Sequence, residues 1–143
     1  MRMTLAMIAG VLVAFVLGSV IGTQMILHSV QSMGLQVSWA MRAESTMNDL
    51  IGLAGTLLPI IAIALIPAWL IVAWLTRKSD SAWEAWIFVT VGAACVACVY
   101  PAMNLAFGVD VYAPARTLAG VLSQAAAAGF GGLCVATLRK RPR

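Results

Sequence analysis

Apolar residues in this chain gather in four blocks, at about residues 3–27, 50–76, 85–109 and 117–138, and none of the four contains Lys, Arg, Asp or Glu. Each block exceeds the ~18–20 residues a helix needs to cross a bilayer core of about 30 Å. Residues 77–84 and 109–116 are short links, so the second and third blocks form an antiparallel hairpin and the third and fourth are neighbours. The first connection, residues 28–48, is long. In it Val30, Met33, Val37 and Met41 follow near-helical spacing beside Gln31, Ser32, Ser38 and Arg42. That pattern predicts an amphipathic segment lying at the membrane interface, with Gly34 as the break from the first span. The expected fold is therefore all-α and integral to a membrane: an antiparallel bundle of four transmembrane helices, with residues 1–143 as one domain. No internal repeat is evident.

Charge adds orientation. When the blocks are threaded in alternating directions, Arg2, Arg77, Lys78, Arg139, Lys140, Arg141 and Arg143 fall on one side, and only Arg42 and Arg116 on the other. Basic residues concentrate on the cytoplasmic side of membrane proteins. Both termini are expected in the cytoplasm, and the expected location is a bacterial inner membrane, crossed several times. The net charge of +4 is then a topology signal and not a nucleic-acid interface; no basic face interleaved with aromatics exists. Membrane lipids are the expected partners, with some attraction of anionic headgroups to the Arg139–Arg143 tail. The first block is too long for the ~7–15-residue apolar core of a signal peptide and is read as a retained span.

Boundary signals agree with this layout. Ser81-x-x-Glu84 has the form of a capping box opening the third span, and Thr46-x-x-Asp49 a similar pattern opening the second. Pro114 suits the first turn of the fourth span, where its missing N–H costs nothing. Trp69, Trp74, Trp83 and Trp86 fall toward the cytoplasmic ends, and Trp39 and Tyr112 toward the outer ends, as interfacial aromatic belts. Pro59 and Pro67 are expected to kink the second span.

Polarity inside the spans is confined to the outer half. Gln24, His28 and Gln31 share a face at i, i+4 and i+7; Asn48 and Asp49 begin the second span; Tyr100 and Asn104 close the third; Arg116, Thr117, Ser123 and Gln124 open the fourth. Polar groups near hydrocarbon must find partners. One reading is a polar pocket open to the outer compartment, with His28, Asp49, Asn104, Arg116 and Gln124 as candidate ligand-binding residues. The other is interhelical bonding worth ~0.6 kcal/mol per bond, with Asp49 as a helix cap or as an ion-pair partner of Arg116. His28 is the only histidine and the side chain that titrates nearest neutral pH. It has no second imidazole with which to hold a metal.

Cys95-Val-Ala-Cys98 has the C-x-x-C spacing used by four-helix thiol–quinone oxidoreductases. A reactive pair needs thiolate character and water, whereas this one lies mid-span among Ala, Val and Gly, so small-residue packing is the preferred reading. Small residues also line one face of the second span (Asn48, Gly52, Gly55, Pro59) and fill the fourth at Ala125–Gly132. They allow close helix approach within the chain or between copies, and the fourth span is expected to be the most enclosed helix or an oligomer contact. Arg42-Ala43 with Asn48-Asp49-Leu50 resembles the Arg-Ala…Asn-Asp-Leu stretch of the membrane-associated eicosanoid and glutathione enzymes, also four-helix proteins. The spacing differs and the motif lies on the opposite side, so their activity is not carried over.

No catalytic set, metal set or cofactor motif stands out. The function expected from sequence is that of a small non-enzymatic membrane protein, a binding or accessory subunit with a polar pocket in its outer half, forming a homo-oligomer or joining a larger complex. The alternatives are a small transporter or ion-conducting oligomer, and a membrane enzyme acting on lipid or quinone.

Overall fold

The computed structural model describes residues 2–77, 83–108 and 112–139. Among them the chain is helical and contains no strand: α1 (Arg2–Ser32), α2 (Trp39–Ala54), α3 (Leu57–Leu75), α4 (Trp83–Phe107), a 3₁₀ turn (Ala113–Arg116) and α5 (Leu118–Arg139). Of these helices α1, α3, α4 and α5 are long and apolar enough to cross a membrane.

The amphipathic segment is a full helix, and it takes residues that the hydropathy pattern assigns to the second span. The Ser38 hydroxyl accepts from the Met41 N–H at 3.2 Å and starts α2 at Trp39. Gly34, at φ +87°, makes the break after α1. The second long helix then begins at Leu57, seven residues later than the apolar block does. Pro59 stands in the first turn of α3, and its ring would crowd the carbonyl of Gly55 four residues earlier in a continuous helix, which favours a break there. Pro67 lies inside α3, which runs on through it. Thr46 and Asp49 sit within α2 and do not form a capping box. The Thr46 hydroxyl donates back to the Arg42 carbonyl at 2.8 Å. Of the second capping pattern, Ser81 lies outside the described residues. Pro114 belongs to the 3₁₀ turn, and α5 is instead opened by Thr117, whose hydroxyl accepts from the Gly120 N–H at 3.0 Å.

Helix α5 lies between α1 and α4, and its register against both is antiparallel. Gly10 of α1 faces Gly131, and a Cβ on Gly10 would approach the Gly131 carbonyl to 2.8 Å; Gly92 of α4 faces Ala128, whose carbonyl would lie 2.9 Å from an added Cβ. Backbones this close need residues without side chains. The same glycines admit Trp69 from α3. Cβ atoms on Gly10, Gly92 and Gly131 would each come within 3.1–3.2 Å of its indole. Trp69 is fully buried and donates from Nε1 to the Phe88 carbonyl at 3.3 Å. It belongs to the core and not to an interfacial belt, unlike Trp39, Trp74, Trp83 and Trp86, which are exposed. Around it pack Val11, Phe15, Leu65, Phe88 and Val135. The glycines of the α2 region, Gly52 and Gly55, meet nothing within 4 Å, so that small-residue face contributes no packing within the chain.

The two ends of the bundle are each tied by polar contacts. At the end holding Arg2 and Arg77, Arg139 of α5 pairs with Glu84 of α4 and donates to the Thr76 hydroxyl at 2.9 Å and the Ala73 carbonyl at 3.1 Å. Its guanidinium also lies 5.6 Å from the Phe88 ring centroid. Three helices are thereby joined at the end where the basic residues collect.

Candidate functional site

The opposite end of the bundle holds most of the remaining polarity, and the carbonyl of Gly18 is its centre. Two side chains reach that oxygen: Gln124 of α5 donates from Nε2 at 2.9 Å, and Tyr112 donates its hydroxyl at 3.2 Å. Gly18 and Gly22 make the space. A Cβ on Gly18 would lie 2.5 Å from Gln124 Oε1, and one on Gly22 would collide with the Tyr112 hydroxyl. Tyr112 is thus drawn into the bundle, only 5% exposed, rather than standing at an interface.

Tyr112 stacks on Tyr100 of α4, with ring centroids 6.0 Å apart and planes at 29°. Beside the pair opens a cavity of about 410 Å³ lined by Tyr100, Pro101, Asn104, Tyr112, Ala115 and Arg116. Its wall combines a guanidinium, an amide and two phenol rings with apolar surface. The Tyr100 hydroxyl is buried and finds no hydrogen-bond partner among the described residues. A buried hydroxyl left unpaired costs ~1–3 kcal/mol. Asn104 and Arg116 are each engaged by another group.

The five candidate residues do not converge. Asn104 and Arg116 share this cavity. Gln124 lies behind it, with Nε2 committed to Gly18. Asp49, on α2, accepts from the Thr23 hydroxyl at 2.6 Å, with the Ser19 carbonyl 2.9 Å from the same hydroxyl. Thr23 has one proton, and the charged acceptor at the shorter distance takes it. Asp49 therefore fastens α2 to α1. Its charge is still felt by Tyr112, whose hydroxyl is pushed up to about 12, first by burial and second by Asp49. His28 is exposed and faces a separate, mostly apolar cleft of about 480 Å³ with Gln24, Met25, Ser29, Pro114 and Thr117. The 3₁₀ turn stands between the two hollows, sending Pro114 to one and Ala115 and Arg116 to the other.

Two participants escaped the sequence reading. Tyr112 looked like a belt residue, and only the paired glycines Gly18 and Gly22 hint that something must enter there. Arg42, placed by the sequence pattern on the polar side of the interfacial segment, donates to Gln24 at 2.8 Å and to Gln31 at 2.9 Å, while Gln24 donates to Thr46 at 3.0 Å. The shared face of Gln24 and Gln31 was the signal; their partner on another helix was not predictable from spacing.

Cys95 donates its thiol to the Ala64 carbonyl at 3.2 Å, Cys98 is exposed on the outside of α4, and both are free. Among the described residues no three His, Cys, Asp or Glu side chains gather to hold a metal ion. The chain matches no protein-family model, no curated protein and no solved structure.

Proposed function

We propose that this chain is a membrane-embedded binding protein, whose ligand is an amphiphile carrying a hydrogen-bond acceptor at its head. The long helices cross the membrane with Arg2, Arg77 and Arg139 toward the cytoplasm, which also places both termini there, in the inner membrane of a bacterium. The Tyr100–Tyr112 cavity then opens in the outer half. The observation that carries the reading is the buried Tyr100 hydroxyl without a partner, on the wall of a cavity shared with Asn104 and Arg116. An acceptor oxygen placed there gives the phenol its missing bond and meets the Arg116 guanidinium, while Pro101, Ala115 and the tyrosine rings receive the apolar body.

Transport through one copy has less support. Between this cavity and Arg139 the interior holds Val11, Phe15, Leu65, Trp69 and Phe88, and no polar path continues among the described residues. Enzymatic action on the ligand would need a nucleophile beside a base, and among the described residues the cavity wall carries no such pair.

The test is native mass spectrometry of the full chain, purified in nanodiscs made from the lipid extract of its expression host. The expected result is a bound small amphiphile, retained by the unaltered chain and lost from Tyr100→Phe and Arg116→Ala. Tyr100→Phe should at the same time make the ligand-free chain more stable by ~1 kcal/mol, because the unpaired hydroxyl is gone. A ligand-free unaltered chain, or equal retention in all three proteins, overturns the reading.

A further inference from the structure

At the opposite end of the bundle from the tyrosine cavity, the first turn of α1, the end of α3 and the end of α5 border a third hollow, of about 480 Å³. Arg2, Leu70, Ala73, Trp74, Arg77 and Arg139 line it. The three arginines differ in what they already do. Arg139 is half-buried and committed to Glu84, Thr76 and the Ala73 carbonyl. Arg2 and Arg77 are exposed, and neither has an acidic partner among the described residues. The Arg77 guanidinium lies 6.0 Å from the Trp74 ring centroid, so an aromatic face steadies it beside the hollow.

The other side of the same hollow is hydrocarbon. Leu70 and Trp74 stand one helical turn apart on α3, 49% and 64% exposed, and they continue the wall away from the arginines toward the middle of the apolar span. A site with two exposed cations at its rim that have no acidic partner among the described residues, and an aliphatic and aromatic wall running into the bilayer, fits one molecule with two parts: an anionic head and an acyl chain. Basic hollows between transmembrane helices at a membrane surface have this ligand chemistry, and the exposed indole marks the headgroup level.

We propose that this hollow is a binding site for an anionic phospholipid, with the phosphate held between Arg2 and Arg77 and an acyl chain lying along Leu70 and Trp74. Arg139 contributes field but keeps its own partners, so the site does not depend on breaking the Arg139–Glu84 pair. The proposal requires only that the helices cross a bilayer. It is independent of which end faces the cytoplasm and of any ligand at the tyrosine cavity.

The full chain is to be reconstituted in nanodiscs of phosphatidylcholine mixed with phosphatidylglycerol, and the lipids it retains counted by native mass spectrometry. The unaltered chain should keep phosphatidylglycerol in preference to phosphatidylcholine. Arg2→Gln with Arg77→Gln should weaken that preference roughly tenfold or more, each surface arginine contributing by its charge. Ala73→Leu fills the hollow without altering any charge, and should also release the lipid, while its backbone carbonyl still serves Arg139. Neutralising the tail with Lys140→Gln, Arg141→Gln and Arg143→Gln should leave the preference largely in place. Helical content and melting temperature of each variant show that it is folded.

Three results overturn the proposal. The first is no preference in the unaltered chain. The second is loss of preference in the tail variant with none in the folded hollow variants, which assigns the lipid to diffuse tail charge. The third is an adduct of inorganic phosphate, offered alone in detergent, that disappears in the Arg2→Gln, Arg77→Gln chain, which assigns the site to a free anion.

Discussion

Gln124 of α5 donates its side-chain amide to the backbone carbonyl of Gly18 on α1 at 2.9 Å. The bond exists because Gly18 has no side chain: an added Cβ would lie 2.5 Å from the amide oxygen. Gln124 is a candidate ligand residue in the sequence, and in the structure its amide fastens α5 to α1. Gln124→Leu keeps the volume and should lower bundle stability by only ~0.5–1 kcal/mol, the usual worth of an interhelical bond in lipid, without changing ligand retention at the tyrosine cavity. Unfolding in mixed micelles measures the first and native mass spectrometry the second; a lost ligand would return Gln124 to the site.

Glycines should divide sharply by what stands over them. Gly132 lies against the backbone of Phe88, where a Cβ meets the carbonyl oxygen and carbon and the neighbouring amide of Val89. Backbone cannot step aside, so Gly132→Ala should separate α4 from α5 at a cost of ~1–3 kcal/mol or more. Gly52 meets nothing within 4 Å and lies inside α2, so Gly52→Ala should be neutral or stabilise by ~0.5–1 kcal/mol through helix propensity. Parallel melting curves of the two variants check the contrast, and equal effects would contradict the packing described.

The Arg139–Glu84 pair invites a double-mutant cycle. Removing either partner leaves a charge or a desolvated acceptor near hydrocarbon, and each single change, Glu84→Gln or Arg139→Gln, should cost ~2–3 kcal/mol. The double variant should cost less than the sum of the two, with a coupling of ~1–3 kcal/mol. A coupling near zero would mean that Thr76 and the Ala73 carbonyl, not Glu84, hold Arg139.

Helix α2 has no buried residue and is held to α1 by hydrogen bonds through Arg42, Thr46 and Asp49. Arg42→Ala removes the donor to both Gln24 and Gln31. It should speed amide exchange across α2 by roughly ten- to a hundred-fold, the equivalent of ~1.5–3 kcal/mol for bonds from a charged donor. The melting temperature of the four long helices should barely move. Exchange mass spectrometry resolves the two, and slow exchange in α2 of the variant would show that apolar contact holds it.

Four long apolar helices, with an amphipathic stretch between the first and second, were legible from hydropathy alone. A run of twenty or more apolar residues has few other ways to satisfy its backbone in lipid. The boundary at Leu57 was not legible in the same way. Residues 50–56 are apolar enough to belong to a span, and hydropathy alone does not say that a turn at Gly55 and Thr56 parts α2 from α3. Likewise, Trp69 and Tyr112 carry the composition of belt residues. Their burial depends on glycines far away in sequence, Gly10, Gly92 and Gly131 for the one, Gly18 and Gly22 for the other.

The same division holds for the candidate site. The sequence by itself determined that polar side chains collect toward one end of the long helices and that arginines mark the other, because charge and hydropathy are properties of single positions and their order. Tertiary structure decided which of those side chains meet. It sent Asp49 to Thr23 and Gln124 to Gly18, left His28 in a different cleft, and brought Asn104 and Arg116 to one wall with Tyr100 and Tyr112. Partnership across helices depends on rotation and depth, which are set by close contacts between small residues, and no local pattern encodes those distances.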